Sequence, residues 1–206
     1  MRAILDYLRT ASAALRMLLI FTAICGIAYP LAITAVAQIP GLKHRADGSF
    51  VTKAGVVVGS SLIGQSFTDA KGNALPQYFQ SRPSAAGEGY DATASSASNY
   101  GPESTKLLDL VNSRRAAIAD LEGVAGSAVP PDALTTSGSG LDPDISPAYA
   151  ALQERRVAAV RHATVAQIDE LVHAHTASRA LGFMGEPAVN VLELNLALDA
   201  TLPVQP

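Results

Sequence analysis

Ser137-Gly138-Ser139-Gly140 is the stretch whose residue types come nearest to chemistry, since it offers hydroxyls on a backbone free to turn. A nucleophile elbow needs Gly-x-Ser-x-Gly between a strand and a helix, and the string does not match it. A phosphate-binding loop needs a lysine after its last glycine, and Leu141 stands there instead. A structural turn and an unspecific backbone nest for an anion both remain open. Asp132, Asp142 and Asp144 suggest a cation site, but Pro143 between two of them breaks the alternating ligand pattern of a calcium loop. His173 and His175 lie two apart on a helical segment and cannot share a metal ion, while His44 and His162 stand alone. No metal-ligand set, paired acid or Ser-His-Asp grouping emerges. By its own chemistry the chain does not read as an enzyme, and no catalytic or metal residue is assigned.

The elements around these residues set what they can do. Ser146-Pro147 supplies a hydroxyl N-cap with proline in the first helical turn, and predicts a helix to about His162. On it Ala148, Leu152, Arg156 and Ala159 share a face, so Arg156 points at apolar surface and requires a carboxylate. Asp142 or Asp144 is the natural donor, and an Asp142–Arg156 ion pair locking the turn to the helix is expected. Leu107, Leu110, Val111, Ile118 and Leu121 form one stripe of a helix from about Glu103 to Glu122, stopped by Gly123. Thr164 with Gln167 reads as a capping box opening a third helix near 165–177. Val56 to Val58 reads as a strand, Gln77 to Arg82 as a short extended piece before Pro83, and Val189 to Asn195 as a closing alternating strand. Ser84 to Gly101, rich in Ala, Ser and Gly, reads as a long irregular loop.

One further feature governs the whole. Met17 to Ala37 is uncharged and apolar, and at about 1.5 Å per residue it matches the roughly 30 Å hydrocarbon core of a bilayer. The expected organisation is a short basic head over 1–14, a transmembrane helix over 15–39 and one small extramembrane α+β domain over 40–206. Arg2, Arg9 and Arg16 before the run, with Ala35-Val36-Ala37 near its end, also fit a cleaved secretory signal, although the run is longer than a signal core. Lys43, Arg45 and Lys53 follow it, so the positive-inside count is nearly tied. Ala23, Gly26 and Ala28 would let another helix approach closely, or simply make the segment rich in small residues. The net charge of −3 carries no strong block and excludes nucleic-acid binding as a main role. The single cysteine, Cys25, lies in the apolar run and leaves the domain without a disulfide framework or thiol nucleophile.

Read together, several strings resemble the C-subunit family of the Kdp-type potassium-transporting P-type ATPase. They are Tyr29-Pro30-Leu31, Gly59 to Gln65 with Phe67, Phe79, Arg82 to Ala85, Ser98-Asn99, Val129-Pro130, Ser137 to Asp142, Ile145 to Pro147, Gln153, Arg156 to Ala158, and Val189 to Asn195. Two positions depart from the family pattern: Ser96-Ala97 replaces a glycine pair, and Asp144 stands where His or Asn is usual. The resemblance implies a non-catalytic subunit of an inner-membrane complex, with its domain outside the membrane. Its partners would be a channel-like potassium-binding subunit, the ATP-hydrolysing pump and a small single-span peptide. It further implies a catalytic chaperone that raises the pump's affinity for ATP, with no cofactor held tightly. If ATP is touched directly, Ser137, Gly138, Ser139, Gly140 and Gln153 are the candidates, since they resemble part of the signature of ABC-type ATPases. Ala23, Gly26, Tyr29, Pro30 and Asn99 are the candidate partner contacts. The alternative is a cation-gathering module built on Glu88, Asp91, Asp142 and Asp144.

Overall fold

The computed structural model describes residues 2–204, and the chain divides after Ser49 into two compact units, Met1–Ser49 and Phe50–Pro206. The first unit is dominated by one continuous helix, Arg2–Ala37, near the N-terminus. It is long and apolar enough to cross a membrane, and none of its side chains is buried within the protein. The basic residues expected as a separate head form its first turns. The helix is built of α1 (Arg2–Ala23), a wider π turn (Ile24–Ala28) and α2 (Tyr29–Ala37). Pro30 explains the interruption: proline lacks the N–H that an α-helical ladder requires, and the π turn, closed by Tyr29 N–H to the Ile24 carbonyl, opens the coil just before it. A one-turn α3 (Lys43–Ala46) completes this unit.

The second unit is α+β, as expected. β1 (Phe50–Lys53) and β2 (Val56–Ser60) form an antiparallel hairpin whose register shifts between Val51 and Thr52. After a long irregular segment comes α4 (Thr105–Glu122), capped by the Ser104 hydroxyl and ended by Gly123 in the left-handed conformation. α5 (Pro131–Leu134), β3 (Asp144–Ile145), α6 (Pro147–Val160), α7 (Val165–Ala174) and β4 (Thr176–Ala177) follow, then β5 (Ala188–Asn190) and α8 (Val191–Thr201). The capping box at Thr164 and Gln167 and the Ser146 cap on α6 both form. β5 is the middle strand of a small antiparallel sheet in the order β3-β5-β4.

The closing segment differs from its expected form. Only Ala188–Asn190 is strand; Asn190 then caps α8 by accepting from Glu193 N at 3.1 Å. Val191, Leu194 and Leu198 share a helical spacing and are all buried, whereas a strand of this length would turn Leu194 and Val191 to opposite faces. The core gathers Ile145, Val157, Ile168, Val189, Leu194 and Leu198 from the sheet, α6, α7 and α8, with Phe79 from the irregular segment after β2. On α6 the buried stripe is Tyr149, Gln153 and Val157, one residue over from the expected face.

The expected extended piece, Gln77 to Arg82, makes no strand, yet its backbone is paired. Asn195 of α8 accepts from Phe79 N at 2.9 Å and donates to Phe79 O at 3.0 Å. Gln153 of α6 does the same for Gln80, at 2.7 and 3.2 Å. A carboxamide presents the same donor and acceptor as a peptide unit, so two helices supply the pairing that a neighbouring strand would otherwise give.

Candidate functional site

Three segments of the second unit meet at one surface: the turn after β2, the loop that starts at Ser84, and the glycine-serine turn. Gly64 N donates to Leu141 O at 2.8 Å. Ser84 Oγ donates to Gly140 O at 2.6 Å while accepting from Tyr90 N at 2.9 Å. Ser139 O accepts from both Ser96 N at 2.9 Å and Ser95 Oγ at 3.0 Å. Gly140 is indispensable to this closeness: it is buried at φ +70°, and a Cβ there would lie 2.6 Å from Ser96 O and 2.8 Å from Ala86 N. The long loop is therefore irregular but tightly pinned. Tyr90 seals it, donating from its hydroxyl to Arg82 O at 2.7 Å, and burial pushes its phenol up to about 12.

Within the turn, two of the N–H groups that could face an anion already have partners. Gly140 N donates to Ser137 Oγ at 2.9 Å, and Leu141 N donates to Ser139 Oγ at 3.1 Å. The turn is therefore closed by its own hydroxyls, and Gly138 is exposed at its tip. Gln153, the fifth candidate for nucleotide contact, is 0 % exposed. Its amide is held by Gln80 and by Arg156 Nη2, 2.9 Å from Oε1, so no face of it is open to solvent or to a nucleotide.

The expected Asp142–Arg156 pair does not form. Arg156 reaches Glu122 instead, Nε lying 3.0 and 3.1 Å from its two carboxylate oxygens, and also donates to the carbonyls of Pro76 and Tyr78. The demand for a buried carboxylate was sound, since the two side chains are 8 % and 1 % exposed. The donor lies at the end of α4, which packs beside α6 in the fold but is distant in sequence. Burial raises the Glu122 carboxyl, and the adjacent guanidinium only partly offsets this. Asp142 pairs with Arg82 Nη1 at 2.8 Å, so it fixes the turn to the Ser84 loop rather than to the helix.

The remaining aspartates are separately engaged. Asp132 accepts from Ser146 N at 2.8 Å and Ser146 Oγ at 2.9 Å. Asp144 is half-buried, and burial followed by the charge of Asp142 raises its carboxyl. Among the described residues no group of three or more His, Cys, Asp or Glu side chains is placed to hold a metal ion. Asp91 caps a short 3-10 turn by accepting from Thr93 N at 2.8 Å. His175 closes α7 with Nδ1 2.8 Å from Leu171 O, and the exposed His173 lies 3.5 Å from Asp169.

Asn99 is exposed at φ +50°, its amide donating to Ala97 O at 3.2 Å. Ala23, Gly26, Tyr29 and Pro30 lie on the exposed surface of the long helix. A Cβ at Gly26 would touch only the Thr22 methyl at 3.8 Å, so nothing in this chain demands a glycine there. Glu122, Asn195 and the fully buried Arg161 escaped sequence reasoning. Arg161 reaches Asp199 at 2.9 Å and the carbonyls of Gln77 and Leu202 at 2.8 Å each. The available signal was Asp199 beside the apolar positions Leu194, Leu196 and Leu198 of α8.

The family described as KdpC, the c chain of K+-transporting ATPase, matches residues 11–200. A Kineococcus radiotolerans protein named potassium-transporting ATPase KdpC subunit is 54% identical over 201 residues, covering 98% of each chain. A Mycobacterium tuberculosis protein of the same name is 52% identical, covering 90% of this chain and 95% of its own. One from Caulobacter vibrioides is 49% identical, covering 97% and 95%.

Proposed function

Because the chain belongs to the KdpC family of K+-transporting ATPase c chains, we propose that it is an accessory subunit that lowers the ATP concentration at which the pump subunit works. In this reading it performs no bond-making itself. The Arg2–Ala37 helix packs in the inner membrane beside a channel-like potassium-binding subunit, an ATP-hydrolysing subunit and a small single-span subunit. The domain stands outside that membrane. Ala23, Gly26, Tyr29 and Pro30 are the proposed helix contacts, and the pinned loop with Asn99 is the proposed contact of the domain.

The observation that carries the reading is a likeness running through both the long helix and the domain. The site geometry agrees with a docking role: a loop held by Ser84, Ser96 and Gly140 presents a fixed polar surface without further ordering cost on binding. With the Gly140 and Leu141 N–H groups already bonded and Gln153 enclosed, ATP is assigned to the pump subunit, and the effect passes through subunit contacts. The test is the purified complex with and without this chain. Omitting it should raise, several-fold, the ATP concentration giving half-maximal potassium-stimulated hydrolysis. Unchanged assembly and unchanged ATP dependence would overturn the proposal.

A further inference from the structure

Away from the pinned loop, a groove of ≈ 660 Å³ runs between α4 and the turn Thr68–Ala74, within the roughly 300–1,000 Å³ typical of small-molecule sites. α4 offers Arg114, Ala117, Ile118 and Leu121 along one wall, a spacing that brings all four to one face. The opposite wall is held rigid by itself. Asp69 accepts from the backbones of Lys71 at 2.8 Å and Asn73 at 2.9 Å, and from the Asn73 amide at 2.9 Å.

Two polar groups bordering this groove have hydrogen-bonding capacity to spare. Tyr149, 3 % exposed, borders it, and its hydroxyl makes no hydrogen bond among the described residues. Its oxygen keeps some access to solvent, since among the described residues the buried side-chain polar atom without a partner is Arg82 Nε. Burial, followed by the charge of Glu122, drives this phenol far up, so it remains a donor at every physiological pH. Arg114 is half-buried, donates from Nη1 to Leu134 O at 2.8 Å, and forms no ion pair among the described residues. Burial lowers its pKa, and Tyr100 opposes this only in part. A guanidinium in that setting is a ready-made receptor for an oxyanion. Asp120 lies on the same wall six residues along, about 9 Å by helical rise, and opposes a second negative charge at that end.

We propose that this groove binds an amphipathic monocarboxylate, its apolar body along Ile118 and Leu121 and its carboxylate facing Arg114 and the Tyr149 hydroxyl. The site is independent of the accessory role proposed above. Its test uses the full chain in lipid nanodiscs, titrated calorimetrically with 4-phenylbutyrate against empty nanodiscs. The uncharged 4-phenylbutan-1-ol and the short butyrate serve as comparators. Saturable binding of 4-phenylbutyrate is expected, at least about tenfold tighter than either comparator. Arg114→Gln should weaken it about tenfold, and Tyr149→Phe about three- to tenfold. Ala117→Trp, which fills the groove from an exposed helical position and leaves the core untouched, should abolish it. The assignment fails if the alcohol binds as tightly as the acid, if Ala117→Trp binds normally, or if no saturable heat appears up to ~10 mM.

Discussion

Gln153→Leu separates a structural role for this side chain from a nucleotide contact. The substitution keeps an apolar body of similar length but removes the carboxamide. Three bonds are lost: Gln80 N to Oε1 at 2.7 Å, Nε2 to Gln80 O at 3.2 Å, and Arg156 Nη2 to Oε1 at 2.9 Å. Arg156 keeps Glu122 and two carbonyls, so its loss is small. The N–H and C=O of Gln80 lose their only carboxamide partner beside a side chain with 0 % exposure. Leaving a buried donor or acceptor unpaired costs about 1–3 kcal/mol each, so a loss of about 3–4 kcal/mol is expected. At about 2–4 °C per kcal/mol for a domain of this size, the midpoint should fall by roughly 6–16 °C. The assay is thermal unfolding of the full chain followed by tyrosine fluorescence, since the sequence holds six Tyr and no Trp. Asn195→Leu, which breaks the matching pair at Phe79, should behave alike. An unchanged midpoint in Gln153→Leu, together with a shifted ATP dependence of the complex, would refute the argument and return Gln153 to the nucleotide.

Two other outcomes are expected. Gly140→Ala should unpin the Ser84–Gly101 loop, since its Cβ meets Ser96 O at 2.6 Å in a left-handed backbone; the strain costs about 1–3 kcal/mol. Hydrogen exchange at Ser96 and Tyr90 should accelerate while α7 amides stay protected, and uniform protection would count against the pinning. Asp199→Asn should destabilise by about 3–5 kcal/mol, because it removes the carboxylate that, among the described residues, alone pairs with the fully buried Arg161 side chain. Burial raises the Asp199 carboxyl, but hydrogen bonds from Lys53 and Arg161 outweigh this and hold it below its ordinary value. A lowered folded pKa means that this stability is complete above the unfolded value, about 3.9, and is lost as pH falls through the folded one. In urea titrations the gap between the two proteins should therefore narrow below about pH 4; a gap constant down to pH 2 would exclude the ion pair as its source.

Local signals dominated what could be read from the chain alone. The apolar run, the Ser146 cap, the Thr164 capping box and the Gly123 stop each depend on residues within a few positions of one another, and all appear in the structure. Asn190 and Glu193 carried a helix-start signal of the same kind, overlooked because Val189 to Asn195 also alternates in polarity over a segment too short to separate the two periods.

The sequence by itself thus determined the long helix, the domain helices α4, α6 and α7, the family and the requirement that Arg156 have a buried carboxylate. Only the tertiary structure decided that Glu122 supplies it, that Asp142 turns to Arg82, and that Gln153 and Asn195 serve as surrogate peptide groups. The physical reason is that a charge or an amide declares its need for a partner through local chemistry. Which partner satisfies it depends on how helices distant in sequence pack around the same core.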